Sequence, residues 1–353
     1  MKKNIPAAVS LLLWTLAGCV SPTLKQGEVA QQRTAEEKAY QSRLQVERIF
    51  EYQKQIERLG SPLLKAALPF CKEDQASSLG LYADNIEAWS GEYRLAATEL
   101  FGLDQALKVT FVQEGSAAAR AGLRSGDILL SVDGRTTLGG PGAPTDFARL
   151  VARSREGGEA RELALEVLRE GHSETLRVLP DEACGYPLNV LMHNAINAYA
   201  DGDRVYITSG LLRFAERDEE VALVLAHEIA HNALNHIEAK IENARSASIF
   251  DLVAAAYGIN TSGLFARLGA NTYSKEFEGE ADYLGLYILA RAGFSLDGLD
   301  GFWQRMASED LHSNRDSILR SHPITAERAV AIRQSIAEIE AKRKAGEPLL
   351  PNQ

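Results

Sequence analysis

The hydrophobic pattern divides the chain into stretches of different period. Behind Lys2 and Lys3, residues Ile5 to Leu16 form one apolar run ending in Leu16-Ala17-Gly18-Cys19. A bilayer-spanning helix needs about 20 such residues, so this run reads as a signal peptide over residues 1–18. Further on, Ile49, Tyr52, Ile56, Leu59 and Leu63 recur in threes and fours, which is one face of a helix. Ser61-Pro62 has the form of an N-cap followed by proline at a first helical position, so two successive helices are predicted before Cys71. From Leu107 to Gly134 the pattern changes to a strand, a Gly-Ser turn, a short alanine-rich helix and an alternating strand closed by Asp133-Gly134. After Asp218, a reasonable N-cap, the run through Ile237 contains neither glycine nor proline and predicts a helix. A further helix is expected from Ser274 to Phe294, ended by Gly293, and a last one from about Thr325 toward Lys342.

Composition changes this picture little: 45% hydrophobic and 24% charged residues are the balance of a folded chain. The net charge of −10 argues against nucleic acid as a partner, because phosphate neutralisation needs a basic surface. Three cysteines say more. Leu16-Ala17-Gly18-Cys19 resembles a bacterial lipobox, which implies cleavage before Cys19 and lipid attachment to it. Acylation there would hold the protein on a membrane surface. Val20 and Ser21 follow with no Asp at the next position, which by resemblance to sorted lipoproteins favours the outer membrane, facing the periplasm. Cys71 and Cys184 remain as an even pair, and in that oxidising compartment a disulfide between them is expected ahead of two free thiols. Such a bridge would staple the entry of the middle module to its exit.

That middle module has a family likeness of its own. Gly115-Ser116-Ala117, Ala121-Gly122-Leu123 and Gly126-Asp127-Ile128 are similar to the bacterial PDZ domain. The resemblance makes Thr145 to Ser154 the groove helix and Arg161 to Leu179 a closing hairpin, and it implies a groove that takes an extended peptide ligand by strand addition. The alternative is a domain that only packs against its neighbour.

The chemistry concentrates in Val224 to His236, where three of the chain's seven histidines sit in an apolar run. His227 and His231 are four residues apart, so their rings share one helix face one turn apart, the geometry of a chelating pair for zinc. Glu228 lies just off that axis, within reach of a water on the metal without being a ligand. Buried histidines satisfied by the core are the bland alternative, but two at this spacing with an intervening glutamate are costly in an apolar run without a metal. A zinc site that hydrolyses bonds takes three protein ligands and leaves a fourth position free. His236 lies five residues past His231, about 140° round the helix, and without a glycine to break the helix it reads as a supporting or structural residue. Glu278 and Asp282 on the later helix are four apart on one face. One carboxylate can bind the metal while the other takes the free N–H of a ligating histidine.

With His227-Glu228-x-x-His231, Glu278-x-x-Ala281-Asp282, Ile196 to Leu212 and Ser321 to Arg328 in order, the segment from about Tyr186 to Ala337 resembles the zinc metallopeptidases of the HtpX, CAAX prenyl protease and BepA type. The resemblance implies one zinc ion per chain held by His227, His231 and Glu278 rather than Glu280, with Glu228 as catalytic base and Asp282 behind the ligands. It implies that Asn197 and Ala198 begin an edge strand that pairs with an extended protein or peptide substrate. His322 would approach the metal, as a displaceable ligand or an aid to the oxyanion; the alternative is that His322-Pro323 merely caps the last helix. The expected fold is α+β: residues 19–70 a tether and N-terminal helices, residues 75–181 an inserted β-rich PDZ-like domain, and residues 185–345 a mainly helical zincin-type metallopeptidase domain with a small edge-strand sheet. Ser246 to Tyr273, interrupted by Asp251, Gly258 and Asn260, is too polar to span a membrane and is expected to form short helices over the cleft. The implied activity is that of a lipid-anchored periplasmic endopeptidase acting on misfolded or unassembled envelope proteins. The rival is a chaperone-like or adaptor lipoprotein with a structural zinc.

Overall fold

A computed structural model describes residues 31–71, 73–137, 139–156, 158–242, 275–309 and 318–352. The signal-peptide run, the lipid site Cys19 and the segment from Ser246 to Tyr273 lie outside these residues. Among those described, no helix is long and apolar enough to cross a membrane.

The first element, α1 (Gln31–Ala66), is one helix and not two: Pro62 lies inside it. Proline near a C-terminus forfeits one backbone hydrogen bond and crowds the preceding turn. Here tertiary packing outweighs that cost, because Leu59, Gly60, Ser61 and Leu63 are all buried. A Cβ on Gly60 would fall 1.9 Å from Leu188 Cδ1, so the absence of a side chain lets α1 lie directly on the body of the protein.

The β-rich domain follows as β1 (Gln75–Ser78), β2 (Leu81–Asp84), α2 (Glu92–Phe101), β3 (Lys108–Val112), α3 (Ala117–Arg120), β4 (Ile128–Val132), β5 (Arg135–Thr136), α4 (Ala143–Ala152), β6 (Leu163–Arg169), β7 (His172–Val178) and β8 (Asp181–Cys184). Its sheet has the order β2-β3-β4-β6-β7, with β5 on β4. In the β6–β7 hairpin Leu163, Leu165 and Val167 alternate into the core, as period-2 pleating requires. The helix expected from Thr145 begins two residues earlier, at Ala143. β1 and β8 form a separate antiparallel ribbon that joins the domain's entry to its exit. Cys71 and Cys184 are disulfide-bonded beside it, with Cα atoms 5.9 Å apart.

The body contains β9 (Leu188–Leu191), β10 (Ala198–Ala200), β11 (Val205–Thr208), α5 (Ser209–Phe214), α6 (Asp218–Ala233), α7 (Lys275–Arg291), α8 (Phe302–Glu309), α9 (Ile318–Ser321) and α10 (Ala326–Ala345). Its sheet runs β10-β11-β9, which leaves β10 an edge among the described residues. Helices α6 and α7 are apolar nearly all round, hence buried, and share one core with Ile56, Leu59 and Leu63 of α1. They approach closely at Gly285, where a Cβ would meet His227 N at 3.1 Å and His227 Cα at 3.2 Å. This contact sets the distance between the two helices that carry the site.

Candidate active site

Helix α6 begins with Asp218, Glu219 and Glu220 in its first turn, where carboxylates suit the positive end of the helix dipole. Arg217, and not Asp218, is the residue at the cap position; Asp218 instead takes bonds from Gln55 and Arg58 of α1. Two turns on, His227 and His231 present their rings side by side with Nε2 atoms 3.1 Å apart. From α7, Glu278 brings one oxygen to 3.5 Å from His231 Nε2 and the other to 3.6 Å from His227 Nε2. His322, just past α9, places Nδ1 3.3 Å from His227 Nε2 and 2.9 Å from Glu278 Oε1. The backbone holds it there: Ile318 N donates to the carbonyl of Ile196, immediately upstream of β10.

Four donors, His227, His231, Glu278 and His322, thus converge on one point, all of them buried. A tetrahedron with zinc–nitrogen bonds of about 2.0–2.1 Å has edges of about 3.3 Å, and these separations scatter around that value. Imidazole nitrogens with a carboxylate are also a donor set that suits zinc. The residues therefore fit a tetrahedral divalent ion.

Surrounding groups orient the donors. Asp282 Oδ1 lies 3.1 Å from His227 Nδ1 on the side away from the cluster. Burial by itself disfavours a charged His227 ring, but Asp282, Glu278 and Glu228 together raise its pKa. His231, buried and next to other cations, is pushed well below the ordinary imidazole value, which keeps a lone pair available. His236 reaches this cluster by a route that a continuous helix would not allow. α6 ends at Ala233, Asn235 adopts a left-handed φ of 54°, and His236 Nδ1 then sits 2.9 Å from His231 Nδ1. Asparagine tolerates that conformation better than most residues, so the break needs no glycine. The imidazole of His236 is a supporting group on the second nitrogen of His231, and its Nε2 lies 3.2 Å from Glu280.

Glu228 is fully buried, and neither carboxylate oxygen makes a hydrogen bond within normal geometry among the described residues. His322 Nε2 is 3.7 Å away. Burial raises the Glu228 pKa, in the direction that favours accepting a proton near neutral pH.

Arg328 is the residue that sequence reasoning missed. It lies on α10, only 4% exposed, and donates through Nε and Nη2 to the two oxygens of Asp282 at 2.8 and 2.9 Å. Its Nη1 is 2.9 Å from Glu278 Oε2 and 2.8 Å from the carbonyl of Pro323. One guanidinium thus braces a metal-site carboxylate, the carboxylate behind His227 and the loop that carries His322. The ring of Trp303 on α8 packs 5.5 Å from that of His227. The only advance signal for Arg328 was its place at the end of Ser321 to Arg328.

Asn197 lies just ahead of β10, and Ala198 is its first residue. The side-chain oxygen of Asn197 is buried without a hydrogen-bond partner among the described residues. β10 packs against α6, and the Ala200 backbone N–H is directed toward the Glu228 carboxylate. A strand edge with no partner among the described residues therefore lies alongside the cluster.

A helix carrying a histidine pair with an adjacent glutamate, a carboxylate from a second helix and an edge strand beside them define a protein of the metallopeptidase class. Residues 166–336 match the model of peptidase family M48, and residues 108–164 match a PDZ domain. Metalloprotease YcaL of Escherichia coli is 34% identical over 179 residues, covering 46% of this chain and 67% of that protein. The mitochondrial metalloendopeptidase OMA1 of Schizosaccharomyces pombe is 30% identical over 45% of this chain and 49% of its own length. The beta-barrel assembly-enhancing protease of E. coli is 27% identical over 39% of this chain and 32% of its own length. The chain belongs to peptidase family M48. It spans about half or less of the OMA1 relatives that it matches.

Proposed function

We propose that this chain is a zinc-dependent endopeptidase of the bacterial cell envelope, held by lipid on Cys19 to the periplasmic face of the outer membrane. The observation that carries the reading is the convergence of His227, His231 and Glu278 on one point with the unpaired carboxylate of Glu228 beside it. His227, His231 and Glu278 would hold the zinc, which would supply Lewis-acid polarisation of the scissile carbonyl and a more acidic water. An extended substrate pairs with the free edge of β10, whose entry Asn197 and Ala198 form, and so lies along the cluster. Glu228 accepts the proton of the attacking water and passes it to the leaving amine. Asp282 and Arg328 keep His227 and Glu278 in orientation. His322 would serve as a displaceable fourth donor that gives way to the substrate. The likeness to beta-barrel assembly-enhancing proteases supports envelope proteins as substrates, and the chains it would cleave are misfolded or unassembled ones. The PDZ-like groove adds a second contact with such chains.

A second reading has its own support. With His322 counted, four protein donors surround the point, and a fully ligated zinc is the mark of a structural site. This makes the chain a chaperone-like or adaptor lipoprotein. The Glu228→Gln variant separates the two. As an endopeptidase it retains one zinc per chain by elemental analysis and loses cleavage of a denatured outer-membrane protein. Equal cleavage by variant and wild type removes Glu228 from the reaction, and no cleavage by either favours the adaptor.

A further inference from the structure

The cleft between the β-rich domain and the body has a wall that lies outside the PDZ-like module. β2 is the edge strand of its sheet, and its open side faces a cleft of about 540 Å³. Leu81 and Phe147 line one side of it, and the opposite side is α1, which contributes Gln53 and Glu57. Glu57 is the one charged residue among the described residues lining this cleft. Its Oε1 accepts a hydrogen bond from Gln53 Nε2 at 2.9 Å, and the same amide nitrogen lies 3.2 Å from the carbonyl of Leu188.

No ion pair to Glu57 forms among the described residues, because the neighbouring cations of α1 are directed elsewhere. Lys54 pairs with Glu51 at 3.8 Å, and Arg58 with Asp218 at 2.7 Å. Burial consequently pushes the Glu57 carboxyl up to about 7, against the pull of Gln53. The carboxyl also faces Tyr82 of β2, whose hydroxyl is raised by burial, then by Asp84 and by Glu57. A second acceptor in the same lining, Gln113 Oε1, is buried with no hydrogen-bond partner among the described residues. Sequestered acceptors beside a strand edge that is unpaired among the described residues call for a ligand that brings its own donors and positive charge.

We propose that this composite cleft binds an extended peptide through the edge of β2 and reads a lysine or arginine side chain of that peptide with Glu57. The inference rests on the reading of the PDZ-like groove as a peptide site and adds to it the charge of the residue selected. It makes α1 part of the recognition surface, so the groove has this specificity only while docked on the body.

The test uses the full chain carrying Glu228→Gln, so that peptides survive, and a positional-scanning set of hexapeptides with free carboxyl termini. At one position lysine or arginine is expected to bind at least about tenfold more tightly than norleucine, as a desolvated charge pair allows. Adding Glu57→Gln is expected to abolish that preference while norleucine peptides still bind. Binding without a preference for a basic side chain, or a preference that survives Glu57→Gln, overturns the role of Glu57 and leaves the groove reading standing. If no hexapeptide binds the parent chain, the groove reading fails and this inference falls with it.

Discussion

Replacing Arg328 with methionine removes a charge from the interior while keeping most of the stem volume. Arg328 donates to both oxygens of Asp282, approaches Glu278 Oε2 at 2.9 Å and holds the Pro323 carbonyl, at 4% exposure. Without it two carboxylates stay buried with less compensation, and removing one partner of a buried ion pair typically costs about 3–5 kcal/mol. For a domain of this size each kcal/mol shifts Tm by roughly 2–4 °C, so a fall of about 6–20 °C is expected for the metal-free protein in differential scanning fluorimetry. Glu278 also loses one of the groups that hold its second oxygen, keeping His322 Nδ1 at 3.1 Å, and zinc affinity, read by chelator competition, is expected to drop about 10–100-fold. Arg328→Lys should recover part of the stability but little of the affinity, since one ammonium cannot bridge two carboxylates in the plane of a guanidinium. A methionine variant melting within about 2 °C of wild type with unchanged zinc affinity would refute the bracing role.

Other outcomes follow from separate contacts. Gly285→Val drives a branched side chain into the His227 backbone, where even a Cβ stands at 3.1 Å. It is expected to destabilise by about 1–3 kcal/mol through overpacking and to weaken zinc uptake, both read from melting with and without metal. Replacing Cys71 and Cys184 together by serine opens a loop spanning 113 residues and is expected to cost about 4–5 kcal/mol in the chain-entropy model, measured by urea denaturation. Asp181 bonds Lys65 at 2.5 Å and Arg120 at 2.5 Å, and although burial opposes its charge these partners hold its pKa below the ordinary carboxylate value. Its contribution is therefore present above the unfolded-state pKa and lost as pH falls through the folded one. Asp181→Asn should be less stable than wild type at neutral pH, with the difference vanishing in acid; a pH-independent difference would show that the ion pairs are not its source.

What the sequence alone determined about this protein is what lies within a few residues along the chain. The helix repeat puts His227 beside His231 and Glu278 beside Asp282 whatever surrounds them, and alternation in Leu163 to Arg169 marks a half-buried strand for the same local reason. Tertiary structure decided the rest, because those relations join residues far apart in the chain. Arg328 finds Asp282 across 46 positions, and His322 finds His227 across 95. Local rules misjudged two places for the same reason. Gly60 and Pro62 look like a break until Leu188 packs against the helix at Gly60, and the run after His231 looks continuous until Asn235 turns left-handed and carries His236 back to the cluster. At Glu57 the sequence shows an ordinary polar helix position. Only the docking of another domain turns it into a sequestered carboxyl facing an open strand edge, since burial is a property of neighbours and not of spacing.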